Sequence, residues 1–248
     1  MIKILLKLLS KISYKFLLLE IYTRNFQDGF LLNLLILNSV QNPKIVEFGS
    51  HGHNQGLIGL ASHIFLKGKY LLLDGFQNNL NEINLIKKKY KLKNIYTKKI
   101  FINPKKNAKQ FDYFIKQQMP YFKSVDLLIL DIDGYERNII RELDFLNPTL
   151  IFVEESKNFA NSFAMKEFQK KKYFYIGKLD NNYIFSKKKF FDKKINLKKA
   201  RLSKIMIILL KLNSKLFFGL FIKILNKNYE IKELIDKPNP FNNIIKYY

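Results

Sequence analysis

Apolar and polar residues change rhythm along this chain, and the changes mark its elements. From Lys44 onward, short apolar runs alternate with longer stretches whose apolar positions recur at helical spacing. The runs predict strands near 44–48, 70–73, 94–101, 125–130 and 149–154. The stretches between them predict helices near 54–66, 78–90, 107–118 and 136–145. Alternation of this length implies βαβ units and a parallel sheet. VDLLIL and TLIFVE are nearly continuous apolar runs, as expected of strands covered on both faces. After a helix over about 162–171, two short aromatic strands flank the turn-rich Lys178 to Asn182. They predict an antiparallel hairpin that closes the sheet.

The flanks follow another pattern. Residues 1–19 carry lysines at 3, 7, 11 and 15, one stripe on a helix with a broad apolar face opposite. The lysines interrupt any signal-like apolar region. Residues 20–42 read as a connection and a second, almost wholly apolar helix, broken by Gln41, Asn42 and Pro43. Residues 187–201 read as a basic linker. Between Ile205 and Leu225 stand 15 large apolar residues. Each contributes about −0.5 kcal/mol to membrane insertion, and Lys211 and Lys215 cost about +3 kcal/mol each. With Asn213 added, the sum lies near zero. An interfacial helix with snorkelling lysines is expected rather than a spanning one. Packing on the domain is the plainer alternative for both segments. Residues 228–248 read as an irregular tail. The expected organisation is 1–43 amphipathic helices, 44–187 an α/β domain, and 188–248 linker, helix and tail.

Composition adds two constraints. There is no cysteine, so disulfides and thiolate metal sites are excluded. The formal charge is +24 and uneven: residues 166–248 hold 21 Lys+Arg against 6 Asp+Glu, and residues 1–165 hold 23 against 14. Such an excess attracts phosphates on lipid or nucleic acid, although a bias toward Lys, Asn and Ile produces charge without a partner.

Candidate chemistry centres on KIVEFGSHGHNQG, residues 44–56. A short buried run, a glycine-bearing turn and a helix start follow one another. In open α/β sheets a ligand lies at such a turn, where glycine lets the backbone approach it and the helix start offers N–H donors. Glu47 ends this run and Asp74 ends the next, LLLD. Two strand-end carboxylates suit a ligand with hydroxyls and a positive charge, and S-adenosylmethionine is one. The expected cofactor contacts are Glu47, Gly49, Ser50, His51, Gly52, Asp74, Gly75 and Phe76. Asp131 ends the fourth strand and is a candidate general base, with His51 as a second. Asp133, Glu154 and Glu155 are candidate substrate contacts. Asp133 and Glu136 also have capping-box spacing. His51 and His53, with Asp131 nearby, make a weak metal set, since His63, the third histidine, would lie on the helix, and no metal is expected.

YLLLDGFQNNLNEINLIKKKY, VDLLILDIDGYERNIIREL and NPTLIFVEES resemble the FkbM-type methyltransferases over about residues 44–187. The segment from Asp131 to Glu136 carries the best part of the likeness. The resemblance implies a Rossmann-like class I methyltransferase sheet: mostly parallel, seven strands, a terminal antiparallel hairpin, with extra helices at both ends. It also implies S-adenosylmethionine, O-methylation, and a glycan or other small-molecule acceptor. His53 stands where relatives carry glycine, and Phe76 where they carry a polar residue.

The expected function is O-methylation of a hydroxyl on a glycan or lipid-linked sugar, with peripheral attachment to an anionic membrane surface on the cytoplasmic side. A methyltransferase-like scaffold without catalysis is the alternative, favoured by His53. An NAD-dependent enzyme fits poorly, because Gly49, Gly52 and Gly56 lack G-x-G-x-x-G spacing. Nucleic acid is not an expected partner, since no RNA-binding signature is present.

Overall fold

A computed structural model describes residues 27–49, 57–89, 91–101, 111–117, 119–122, 124–132, 136–143, 146–154, 162–179, 181–189 and 195–197. The elements are α1 (Gln27–Leu37), β1 (Lys44–Phe48), α2 (Leu60–Leu66), β2 (Lys69–Asp74), α3 (Gln77–Lys89), β3 (Ile95–Lys99), β4 (Leu127–Leu130), α4 (Glu136–Glu142), β5 (Leu150–Glu154), α5 (Ser162–Lys170), β6 (Phe174–Leu179), β7 (Asn182–Ser186) and β8 (Ile195–Leu197). A helical segment also covers 111–117. Both lysine-striped segments, 1–19 and 205–225, lie outside the described residues. Among the described residues, no helix is long and apolar enough to cross a membrane.

The strands form one sheet in the order β3-β2-β1-β4-β5-β7-β6-β8. The first five are parallel, β7 runs antiparallel to both β5 and β6, and β8 runs parallel to β6. The seven expected strands are therefore present in the class I methyltransferase arrangement. An eighth, Ile195–Leu197, lies in the stretch read from sequence as linker.

Strand periodicity decides what covers each face. Ile45, Tyr70, Leu72, Leu127, Ile129 and Phe152 face a core built with α1, α2 and α3. Val46, Leu71, Leu73, Leu128, Leu130 and Ile151 face the other, built with segment 111–117, α4 and α5. Helix α1 is apolar on nearly every side because it is buried: Phe30, Leu31, Leu34 and Leu35 are fully covered and join the same core as α2. It belongs structurally to the α/β unit, although it precedes residue 44.

Polar clamps set the strand ends. Lys44 N–H donates to Asp126 Oδ2 at 2.8 Å, and Asp126 N–H to Lys44 O at 2.8 Å. At the opposite end, Gly49 N–H donates to Leu73 O and Asp131 N–H to Phe48 O, both at 3.0 Å. Gly49 has φ +87°, and a Cβ there would stand 1.5 Å from Asp131 O. Only glycine lets β1 leave the sheet so close to the end of β4. Gly49→Ala should cost at least about 2 kcal/mol of stability, because both the backbone and the contact resist it. Denaturant unfolding checks this, and a loss under about 0.5 kcal/mol, the scale of an ordinary surface change, would contradict it.

Candidate active site

The strand order reverses between β1 and β4. In open parallel sheets, the carboxyl ends of the strands beside such a reversal form the binding crevice. Glu47 and Gly49 of the β1 end, Asp74 of β2, Asp131 after β4 and Glu154 of β5 all stand at this end.

Glu47 is 2% exposed, inside the sheet. A buried carboxylate is costly unless donors reach it, and three do. Gly59 N–H donates to Oε2 at 2.9 Å, Ile58 N–H to Oε1 at 3.4 Å, and the Tyr70 hydroxyl donates a short bond to Oε2. The carboxylate thus joins β1, β2 and the turn that opens α2. It ties the β1 end to the turn at Ile58 and Gly59 before α2. Burial is the largest influence on its pKa and pushes it up to about 7, the donors oppose the rise, and the charge of Asp131 adds to it. Glu47 and Asp131 therefore act on each other electrostatically.

Asp74 is 3% exposed and ends β2. Its Oδ1 accepts Phe76 N–H at 2.6 Å, and its Oδ2 accepts Asn79 Nδ2 at 3.1 Å. These bonds fix the carboxylate at the mouth of α3. Each oxygen keeps a further lone pair. Gly75 follows, and a Cβ on it would touch the Phe101 ring at 3.2 Å. Phe76 is 71% exposed and Phe101 79%. Both rings are exposed, and Phe101 lies next to Gly75.

Asp131 is half-buried directly after β4. The next residue, Ile132, donates its N–H to Glu136 Oε1 at 3.0 Å. Glu136 is fully buried, and its side chain ties the start of α4 to Ile132, the residue after Asp131. Glu154 is half-buried at the end of β5, opposite Asn182 of β7. Ser50, His51, Gly52, His53, Asp133 and Glu155 lie outside the described residues. Tyr70, Asn79 and the loop-holding contact of Glu136 were not picked out from sequence. The signal for Tyr70 was available: a buried acid needs donors, and Tyr70 lies on the same face of the neighbouring strand.

His63 is structural. It is 5% exposed on α2, and its Nδ1 lies 2.8 Å from Gly68 O. That carbonyl only accepts, so Nδ1 carries the proton. Burial lowers the pKa to about 4, against the pull of the Gly68 and Lys93 carbonyls. Among the described residues, no group of three or more His, Cys, Asp or Glu side chains is placed to hold a metal ion.

The Methyltransferase FkbM domain model matches residues 42–179, more than half of the chain. The chain belongs to the FkbM methyltransferase family. The matching model is described as a methyltransferase domain. No curated protein sequence matches the chain. Among solved structures, a Streptococcus mutans protein described as a SAM-dependent methyltransferase is similar with a TM-score of 0.44 and 17% identity, over 65% of this chain and 49% of that one. TrmK of M. capricolum, in complex with S-adenosyl-homocysteine, is similar with a TM-score of 0.43 and 19% identity, over 88% and 96%. TrmN from Thermus thermophilus gives 0.42 and 12%, over 65% and 49%. The chain spans about half the length of the first and third of these proteins.

The described residues of the FkbM domain fit the cofactor's adenosine half. A fixed carboxylate with spare lone pairs ends β2, and exposed aromatic residues follow in Phe76 and, next to Gly75, Phe101.

Glu47 and His63 make opposite demands on pH. The raised pKa of Glu47 means that the folded state keeps this proton longer than the unfolded chain does. Its stabilising contribution is complete below pH 4.5 and is lost as pH rises through about 7. The lowered pKa of His63 gives a contribution present above pH 6.5 and lost as pH falls through about 4. Glu47→Gln removes the first alone. Relative to wild type, this variant should gain up to about 3 kcal/mol between pH 5 and 8. Urea unfolding across that range measures the difference, and a difference independent of pH would contradict the buried, raised carboxyl.

Proposed function

We propose that this FkbM domain transfers the methyl group of S-adenosylmethionine to a hydroxyl of a glycan or lipid-linked sugar. Asp131 is the observation that carries the reading. Its carboxylate follows β4, half-buried, at the strand reversal. Its charge adds to the raised pKa of Glu47, which supports reading the two acids as neighbours. When bound, the cofactor supplies an electrophilic methyl carbon on a sulfonium. A hydroxyl oxygen attacking that carbon must give up its proton, and a carboxylate at hydrogen-bond range accepts it. Asp131 takes that role. With the cofactor bound, Asp74 would accept from its ribose hydroxyls and Phe76 would offer a ring to its adenine, while the Glu47 clamp ties the β1 end to the turn at Ile58 and Gly59 before α2. Glu154 contacts the acceptor at the edge of the site.

The lysine-striped segments at 1–19 and 205–225 support attachment to an anionic membrane surface, which raises the local concentration of a lipid-linked acceptor. Two weak attachments on one chain reinforce each other through effective concentration.

Incubation of the protein and methyl-labelled S-adenosylmethionine with glycan and glycolipid fractions tests the reading. Label should enter a base-stable ether on a sugar. Asp131→Asn should lower turnover by about 10²–10⁴ while leaving fold and cofactor affinity nearly intact. Cofactor binding without transfer to any glycan fraction would favour the scaffold reading instead. A large loss of melting temperature in Asp131→Asn would assign Asp131 to structure.

A further inference from the structure

Lysines gather at one end of the strands of the described domain, although Lys98, Lys99 and Lys178 stand toward the other end and Asp126 stands at the lysine end. Lys44, Lys69, Lys93, Lys172, Lys187 and Lys188 all stand at the amino ends of the parallel strands or in the turns beside them. Backbone bonds fix that level: Lys69 N–H to Pro43 O at 2.8 Å, Tyr70 N–H to Asn94 O at 2.9 Å and Lys187 N–H to Thr149 O at 3.0 Å. Glu47, Asp74, Asp131, Glu136 and Glu154 stand at the other end.

The helix macrodipole explains only part of the basic end. The helices finish there, and lysines of their last turns, such as Lys88 and Lys170, are favoured by it. Lys44, Lys69, Lys93 and Lys187 open strands or follow β7, and no helix end accounts for them. Lys67, Lys91 and Lys172 take left-handed backbone conformations, with φ of 54°, 50° and 61°. Glycine or asparagine would sit there with less strain, yet lysine is present at all three. Lys187 lies 4.0 Å from the Tyr173 ring centroid, and burial together with the charges of Lys172 and Lys171 lowers its pKa. Two exposed aromatic rings share this end. Lys69 Nζ stands 4.7 Å from the Tyr121 ring centroid, and Phe174 opens β6.

We propose that this amino-end face docks the domain on an anionic phospholipid surface, with the methyl-transfer site facing away from the lipid. The lysines come from the ends of separate strands across the width of the sheet. They are spread along one end of the sheet, whereas a nucleic-acid strand is tracked by a single groove. All six are lysines, compact charges that suit a diffuse headgroup field better than forked recognition of one phosphate or base. Tyr121 and Phe174 supply the aromatic contacts that favour a membrane interface. This docking does not depend on which hydroxyl is methylated. It does require the acceptor to reach the site from the side away from the bilayer, as the outer end of a lipid-linked chain would.

Full-length protein is sedimented with vesicles of phosphatidylglycerol and phosphatidylcholine, or of phosphatidylcholine alone, at low and high salt. Lys93→Glu with Lys188→Glu is compared with Lys98→Glu and Lys99→Glu, a charge-matched exposed pair at the other end of β3. The first pair should weaken binding to anionic vesicles by at least about tenfold, and the matched pair by less than about threefold. Lys93→Gln and Lys188→Gln, as gentler single changes, should each weaken it by about two- to fourfold. Equal losses from the two pairs would overturn the proposal, because net charge and not this face would govern binding. Absence of wild-type binding to anionic vesicles at low salt would also overturn it, as would binding to polyuridylate alone. Titration of the Lys93/Lys188 variant with S-adenosylmethionine should match wild type, which separates failure of docking from failure of the methyl-transfer reading.

Discussion

The site rests on a carboxylate placed where a carboxylate is expensive. Glu47 lies within the sheet and is held there by donors from Ile58, Gly59 and Tyr70. Removing any one donor leaves a buried acceptor short of a partner, which costs about 1–3 kcal/mol. The arrangement is useful because each donor comes from a different part of the fold. The β1 end, the β2 strand and the turn before α2 cannot shift independently while the carboxylate joins them. Gly49 meets the same need from the other side, letting the backbones of β1 and β4 approach more closely than any side chain permits. Asp131 and Asp74 are consequently presented by a rigid frame.

Parallel topology explains why the two ends of the domain differ in charge. Every βα turn at the carboxyl end needs a group to cap a following helix or fix a loop, and acids do this at Asp74 and Glu136. Helix starts favour negative charge at that end and helix finishes favour positive charge at the other. One sheet direction thus creates an acidic site and a basic reverse side. The lysines beyond the helix ends enlarge this built-in difference.

Much of the fold was legible because its signals are periodic. The five apolar runs and the aromatic hairpin all became strands, and the strand-end positions of Glu47, Asp74 and Asp131 followed from where those runs stop. The short strand β8 was not legible: three residues in a lysine-rich stretch carry no recognisable alternation, and pairing with β6 supplies the structure. The roles of individual acids were less legible than their places. Glu47 was expected to face the loop or the cofactor, and the structure shows its oxygens engaged by backbone and tyrosine donors. That outcome depends on Tyr70, 23 residues away, and on a turn whose geometry no local pattern encodes. Phe76 was likewise placed at the site by position, while Phe101 comes next to Gly75 through the pairing of β2 with β3.

The most direct test of the account is calorimetric titration with S-adenosylmethionine, comparing wild type with Asp74→Ala. The frame built on Glu47 and Gly49 should present Asp74 to the ribose of a bound cofactor. Wild type should bind with one site per chain, and Asp74→Ala should lose about 1.5–3 kcal/mol of affinity, as expected for a charged hydrogen-bond acceptor. No measurable binding by folded wild-type protein at millimolar cofactor would contradict the central claim.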